Sequence, residues 1–272
     1  MKSALPALLL LVWLPAAAGA APYGTETPPP PSTQGRENVD IGRQAQTRRA
    51  FVEINEGFAL YQRSDMAGAE AKFRAAIARD PDEPQGSTAY YDLGLVLART
   101  GRYDDAGRAF DTALTRDPGI VPAWLGLVYV DLQRRRYADA QRDARAMRAS
   151  APSSALARFQ EGYAALLDGQ YELASNAFAS LLPGNANVAS LRYNLGLALL
   201  HAGRLDDARV EAQHAVALAP AFAKGYFLLG SIALRAGDRT AAARAYAKAR
   251  QVANDPSMRL LCDDVLRQLR AR

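Results

Sequence analysis

A period of 34 residues constrains what this chain can fold into more than any other feature of its sequence. It is clearest at 87–120, STAYYDLGLVLARTGRYDDAGRAFDTALTRDPGI, where two apolar-periodic runs are joined by a short turn. Leu93, Leu97, Phe110 and Leu114 stand at i, i+4 spacings within their runs, so each run is predicted to be an amphipathic helix. Gly94 and Ala106 are small where the two helices of one hairpin must approach closely. Gly101 follows the first run, where a left-handed cap is needed and a Cβ is penalised. Pro118 biases Asp117 away from helical geometry and ends the second run. One such hairpin cannot bury its own apolar faces, so it needs copies stacked against it.

The chain supplies them. With Ser87 as position 1, further units begin at 121, 155, 189 and 223 without an insertion. A unit at 50–83 precedes them and carries Gly57, Ala69, Phe73, Ala76 and Pro81, with Glu56 at position 7 where an apolar residue is usual. Three extra residues, Pro84, Gln85 and Gly86, predict a looser joint after it. The third unit keeps Trp124, Leu127, Ala140 and Pro152, but Val128 stands in the place of the glycine. The fourth keeps Gly162, Tyr171, Ala174 and Phe178, and its Pro183 comes three residues early, which predicts a short second helix. The fifth has Leu195, Gly196, Ala208, Ala215 and Pro220; the sixth has Tyr226, Leu229, Gly230, Ala242, Tyr246 and Ala249.

These offsets resemble the tetratricopeptide repeat, a helix–turn–helix unit. The resemblance covers residues 50–256 and implies an all-α fold, an α-solenoid of six such repeats in a right-handed superhelix (50–83, 87–120, 121–154, 155–188, 189–222, 223–256). The repeat region as a whole is placed at 39–256, with regular structure beginning around 39–46. Residues 257–272 read as an amphipathic capping helix with Asp263, Asp264, Arg267 and Arg270 outward, closing the last apolar face.

The N-terminus reads as a targeting segment. Met1-Lys2 precedes the apolar run LPALLLLVWL at 5–14, and Ala18-Gly19-Ala20 fits a cleavage site, so residues 1–20 are expected to be removed as a signal peptide. The run is interrupted by Pro6 and flanked by Pro15, and is too short to cross about 30 Å of hydrocarbon. Stable membrane insertion after cleavage is therefore not expected. Residues 21–38 hold Pro28 to Pro31 and few apolar side chains, the composition of a disordered, polyproline-like tether. Export, most simply to a bacterial periplasm, follows from this segment. The resemblance extends in repeat number to the pilus-assembly lipoproteins of type IV systems, but no Cys stands at the cleavage point here. The single Cys, Cys262, permits no internal disulfide and shares a helical face with Met258, Leu261, Val265 and Leu269.

The resemblance implies that the first helices line a concave groove, with positions 2, 5, 9, 12 and 13 pointing into it. Phe58 and Tyr61 would contribute from the first repeat, Tyr91 and Leu95 from the second, Leu125 and Tyr129 from the third. Phe159 and Tyr163, then Tyr193 and Leu197, and finally Phe227 continue the row. A face this apolar and aromatic suits an apolar or amphipathic protein or peptide segment, with tyrosine hydroxyls supplying polar contacts. The competing expectation, sharpest at position 12 (Ala98, Leu132, Leu166, Leu200, Leu234), is that curvature packs these side chains as additional core. Some tetratricopeptide co-chaperones hold a C-terminal carboxylate with a Lys/Asn/Lys/Arg clamp on inner positions. That set is missing from positions 5 and 9 of the first three repeats, although Arg99, Arg235 and Lys224 are isolated cations at the edge.

Neither charge nor composition suggests other chemistry. The formal net charge of +5 is spread over helix surfaces, with Arg134-Arg135-Arg136 in a turn, read as solvated, and no aromatic-interleaved basic stripe for nucleic acid. His201 and His214 are not spaced as helical metal ligands, and neither a phosphate loop nor a serine-nucleophile turn occurs. Asp104-Asp105 and Asp206-Asp207 fall where second helices begin and are expected to oppose the helix dipole. The sequence thus predicts an exported, non-enzymatic scaffold or adaptor without metal or cofactor, concerned with envelope complex assembly. The alternative is a structural subunit that self-associates through its repeat ends or Cys262, with no groove in use.

Overall fold

The computed structural model describes residues 37–79 and 84–271, which hold fourteen α-helices and no strand. The targeting segment at 1–20, and all but the last two residues of the tether at 21–38, lie outside the described residues. Contacts divide the chain into Met1–Gly42 and Arg43–Arg272, and the second unit carries the repeats.

Helices come in pairs at the period of the sequence. The first helices are α1 (Glu37–Gln62), α3 (Pro84–Arg99), α5 (Val121–Gln133), α7 (Ala155–Leu167), α10 (Ala189–His201) and α12 (Ala223–Arg235). Their second helices are α2 (Met66–Arg79), α4 (Tyr103–Arg116), α6 (Tyr137–Ser150), α8 (Tyr171–Ala179), α11 (Leu205–Leu218) and α13 (Arg239–Val252). The short α9 (Leu182–Asn185) follows α8, and α14 (Pro256–Arg270) closes the series. α14 buries Met258 and Cys262 and leaves Leu260 exposed.

The same turn joins the two helices of every repeat. The residue at position 15 is left-handed throughout: Gly101, Gly169, Gly203 and Gly237 lie at φ 78° to 86°. Ser64 and Arg135 take the same place at φ 64° and 58°. The next N–H then bonds back to the first helix five residues earlier, as Arg102 does to the Leu97 carbonyl at 2.9 Å. This geometry gives Arg134-Arg135-Arg136 a structural role beyond a solvated turn. Arg136 reaches the buried Asp131 at 2.5 Å, and Arg134 pairs with Asp104 of the preceding repeat. Asp105 likewise accepts from Arg102 at 2.9 Å, and Asp207 from Arg204 at 2.7 Å.

In four of the six repeats the core between the two helices is organised by one ring, Phe73, Phe110, Phe178 or Tyr246. Phe73, Phe110 and Phe178 are fully buried, and each fills the place a Cβ would take on the facing glycine. A Cβ on Gly94 would lie 2.5 Å from the Phe110 ring, and one on Gly57 would lie 2.7 Å from Phe73. The third repeat solves the same space in reverse. Val128 replaces the glycine and Ala144 stands where the ring would be, both essentially inaccessible.

Three local features bear on details of the sequence reading. Regular structure begins at Glu37 with α1, which is continuous over 26 residues. Pro84, Gln85 and Gly86 form the first turn of α3, where a proline loses no helical hydrogen bond, and residues 80–83 before it lie outside the described residues. Pro183 does end α8 early, after nine residues against fourteen in α4. The lost turns open a cleft of ≈ 340 Å³ walled by Leu182, Val210 and Glu211, on the second-helix side and away from the predicted groove residues.

Candidate functional site

The candidate face is built from the first helices, which pack on one another in successive repeats, α3 on α5 and α10 on α12. Position 9 is half-buried in five consecutive repeats: Phe58, Leu95, Tyr129, Tyr163 and Leu197. At position 5, Tyr91, Leu125, Phe159 and Phe227 are half-buried as well. Tyr193 differs from the expectation of an open side chain. It is buried, with its ring edge-on to Phe222 at 5.4 Å.

Position 12 divides along the chain. Ala98, Leu132, Leu166 and Leu200 are buried in the apolar clusters that first and second helices build together. Only the ends stay accessible: Tyr61 is half-buried under Arg99, and Leu234 is 39% exposed. The middle of this row is therefore core, as the competing expectation had it.

The rings of the face are held by second helices. Tyr91 tilts against Phe110 at 6.0 Å, Phe159 against Phe178 at 5.4 Å, and Phe227 meets Tyr246 edge-on at 4.9 Å. Phe159 and Tyr163 lie parallel, 6.3 Å apart, one turn from each other on α7. A second source of tyrosine escaped the sequence reading. Tyr103, Tyr137 and Tyr171 begin α4, α6 and α8, and from there reach the first helix of the next repeat. Tyr103 meets Tyr129 edge-on at 6.3 Å, and Tyr171 stacks on His201 at 4.9 Å. The recurrence of tyrosine at position 17 in three successive repeats was the available signal.

The environment keeps these phenols neutral. Burial pushes the Tyr163 hydroxyl up to about 12, with Tyr137 adding to the effect. Burial raises Tyr129 too, and the hydroxyl of Tyr103 beside it contributes. Tyr193 is raised by burial and by Tyr163. A neutral phenol both donates and accepts, so each ring offers an apolar body with one polar handle.

Charge on the face is sparse. His201 is half-buried, and burial followed by the nearby Arg235 charge holds its imidazole below the ordinary histidine range. His214 is exposed on α11. Among the described residues no three His, Cys, Asp or Glu side chains converge as metal ligands would, and no helix is long and apolar enough to cross a membrane. Arg99 lies over the Tyr61 ring at 5.1 Å.

A sequence model described as the tetratricopeptide repeat matches residues 55–119, 160–221 and 193–258, together more than half of the chain. The Hsp70-Hsp90 organizing protein of Triticum aestivum is 40% identical over 100 residues; the match takes in 36% of this chain and 16% of that relative's length. Among solved structures, pilF of Pseudomonas aeruginosa is similar with a TM-score of 0.61 at 18% identity, covering 85% of this chain and 99% of that one. MamA is similar at 0.56 and 25% identity, covering 62% and 93% of the two chains. YrrB, described as having an unusual peptide-binding site, gives 0.55 at 19% identity, with 71% and 97% covered.

Proposed function

The chain belongs to the tetratricopeptide repeat family, a family of protein–protein interaction scaffolds, and we propose that it is an exported adaptor capturing a protein or peptide segment along its first helices. The observation that carries this reading is the position 9 row. Five consecutive repeats present an aromatic ring or a leucine there, each only partly covered by its own core. A continuous apolar strip left in water favours association, so its persistence across repeats argues for an occupant. The neutral tyrosine hydroxyls among these rings supply the hydrogen-bonding points that orient an amphipathic segment.

Rings clamped by Phe110, Phe178 and Tyr246 lose little freedom on binding, which lowers the ordering cost of capture. The reading contains no catalytic step: capture is an equilibrium between the face and its partner. The relative at 40% identity is named for organising two other proteins, which fits a scaffold role. The targeting features of residues 1–20 support export, and with it a task in envelope complex assembly.

The test uses the chain from residue 21 onward, immobilised and challenged with envelope extract, beside Tyr129→Glu/Tyr163→Glu. A partner retained by the parent and lost by the double variant, with helical circular dichroism unchanged, is the expected result. Tyr129→Ala/Leu197→Ala serves as a milder second variant. Identical capture by the parent and a folded variant would remove this face from the function.

A further inference from the structure

Arginine bridges the seam between the third and fourth repeats. Arg145 and Arg148, at positions 25 and 28 on α6, both reach Glu161 on α7, with Nε–Oε distances of 3.0 and 3.5 Å. The Glu161 side chain is only 10% exposed, and both of its oxygens are paired. The next seam carries Ala179 and Leu182 at the same two positions. α8 ends at Ala179, and the cleft of ≈ 340 Å³ opens beside it. Leu195 and Leu199 of α10 and the exposed Val210 of α11 line that cleft with Ala179 and Leu182.

The wall on α11 is acidic. Asp207 and Glu211, one helical turn apart, line the cleft together with Arg204. Arg204 pairs with Asp207 at 2.7 Å and lies 3.9 Å from Glu172. Arg192 donates to Glu211 Oε2 at 2.7 Å and to the Ala186 carbonyl at 2.8 Å. Two arginines thus meet three carboxylates, Glu172, Asp207 and Glu211, and one negative charge is left over. The second oxygen of each wall carboxylate, Asp207 Oδ1 and Glu211 Oε1, accepts no hydrogen bond among the described residues.

An apolar floor beside unshared carboxylate oxygens complements an arginine side chain. Its methylene stem covers leucine surface while its planar guanidinium donates to the carboxylates. The volume lies at the small end of the about 300–1,000 Å³ usual for ligand pockets, which suits one side chain rather than a whole segment. We propose that the seam between the fourth and fifth repeats docks an arginine of a protein partner. The partner supplies from outside the guanidinium that Arg145 supplies from within one seam earlier. The cleft lies on the second-helix side, so this contact is separate from capture along the first helices and does not rest on it.

Two fluorescein-labelled peptides, blocked at both ends, test it with the full chain. One is Gly-Ser-Ala-Leu-Arg-Leu-Ala-Ser-Gly; the other replaces the arginine by citrulline, which keeps the shape and loses the charge. Fluorescence anisotropy should show the arginine peptide bound about three- to tenfold more tightly, the range of one or two partly exposed ion pairs, and less so as salt is raised. Ala179→Arg, which places the chain's own guanidinium in this seam, should abolish the difference without touching the pair of Arg192 and Glu211. Asp207→Asn/Glu211→Gln should abolish it too, each variant keeping its helical circular dichroism. Tyr129→Ala/Leu197→Ala, on the first-helix face, should leave the difference intact. Equal affinity for the two peptides, binding of neither, or a preference that survives in folded Ala179→Arg overturns the inference. A preference lost in the first-helix variant overturns it as well, and each of these failures leaves the capture reading standing.

Discussion

Asp92 lies in α3 with only 7% of its surface exposed and no hydrogen bond or ion pair among the described residues. Burial alone pushes its carboxyl up to about 7, from an ordinary 3.8. The folded chain therefore holds this proton more tightly than the unfolded chain. The stabilisation is complete below about pH 4 and is lost as pH rises through about 7, at roughly 1.4 kcal/mol per pH unit in that window. Asp92→Asn should abolish this slope. Urea titrations at several pH values should show the variant gaining on the parent from pH 5 to pH 8, and parallel curves would show that Asp92 is solvated after all. Asp143 follows the same logic with more company. Burial raises it to about 6, against the pull of Arg142 and with the push of Asp131. Asp131 itself stays paired with Arg136. These carboxyls were not read from the sequence, although Asp131 falls at position 11, where other repeats hold Leu97, Ala165 and Leu199.

At the scale of the helical hairpin, five of the six repeats fill one volume from positions 8 and 24 together, whereas the fifth sets Gly196 beside Ala212 and brings Leu228 of the next repeat against the glycine. Gly94 with Phe110, Gly162 with Phe178 and Gly230 with Tyr246 fill one volume; Val128 with Ala144 fills it from the other side. Val128 was legible as a departure, but its compensation at Ala144 was not, because complementarity exists only once the two helices face each other. Gly94→Val should destabilise by about 1–3 kcal/mol, since its side chain would enter the Phe110 ring. Phe110→Ala should cost about 3–5 kcal/mol by leaving a cavity. The double variant, which writes the third-repeat solution into the second, should cost at least about 1 kcal/mol less than the two losses together. Simple additivity in thermal or urea unfolding would mean that the pair does not share its space.

At the scale of the whole chain, the first-helix face and the ends carry different risks. Self-association through Cys262 is disfavoured by its setting, since the thiol is fully buried on the inner face of α14, in a cluster with Ala249 and Met258. Burial also raises its pKa, with Asp263 adding to the effect. The thiolate is the reactive form, so exchange is slow twice over, through access and through ionisation. The folded chain should react with Ellman's reagent only at the rate at which α14 opens, and should show no disulfide-linked dimer on a non-reducing gel after mild oxidation. Rapid stoichiometric labelling without denaturant would reverse that expectation and revive the structural-subunit alternative.

The sequence by itself determined the helical pairs, their turns and their order. Those depend on local matters: i, i+4 apolar spacing, a left-handed residue at position 15, and prolines that stop helices. It also placed the aromatic row at positions 5 and 9, because a fixed period puts equivalent side chains on one face. Only the tertiary structure decided which of those side chains remain accessible. Neighbouring hairpins bury Leu132, Leu166 and Leu200 in shared apolar clusters while leaving Tyr129 and Tyr163 half open, and that depends on how one hairpin packs against the next. It also decided which charges are spent. Arg99 and Arg235 share a repeat position and differ only in what the preceding hairpin brings beside them, Tyr61 and Ser64 for one, Leu200 and Gly203 for the other.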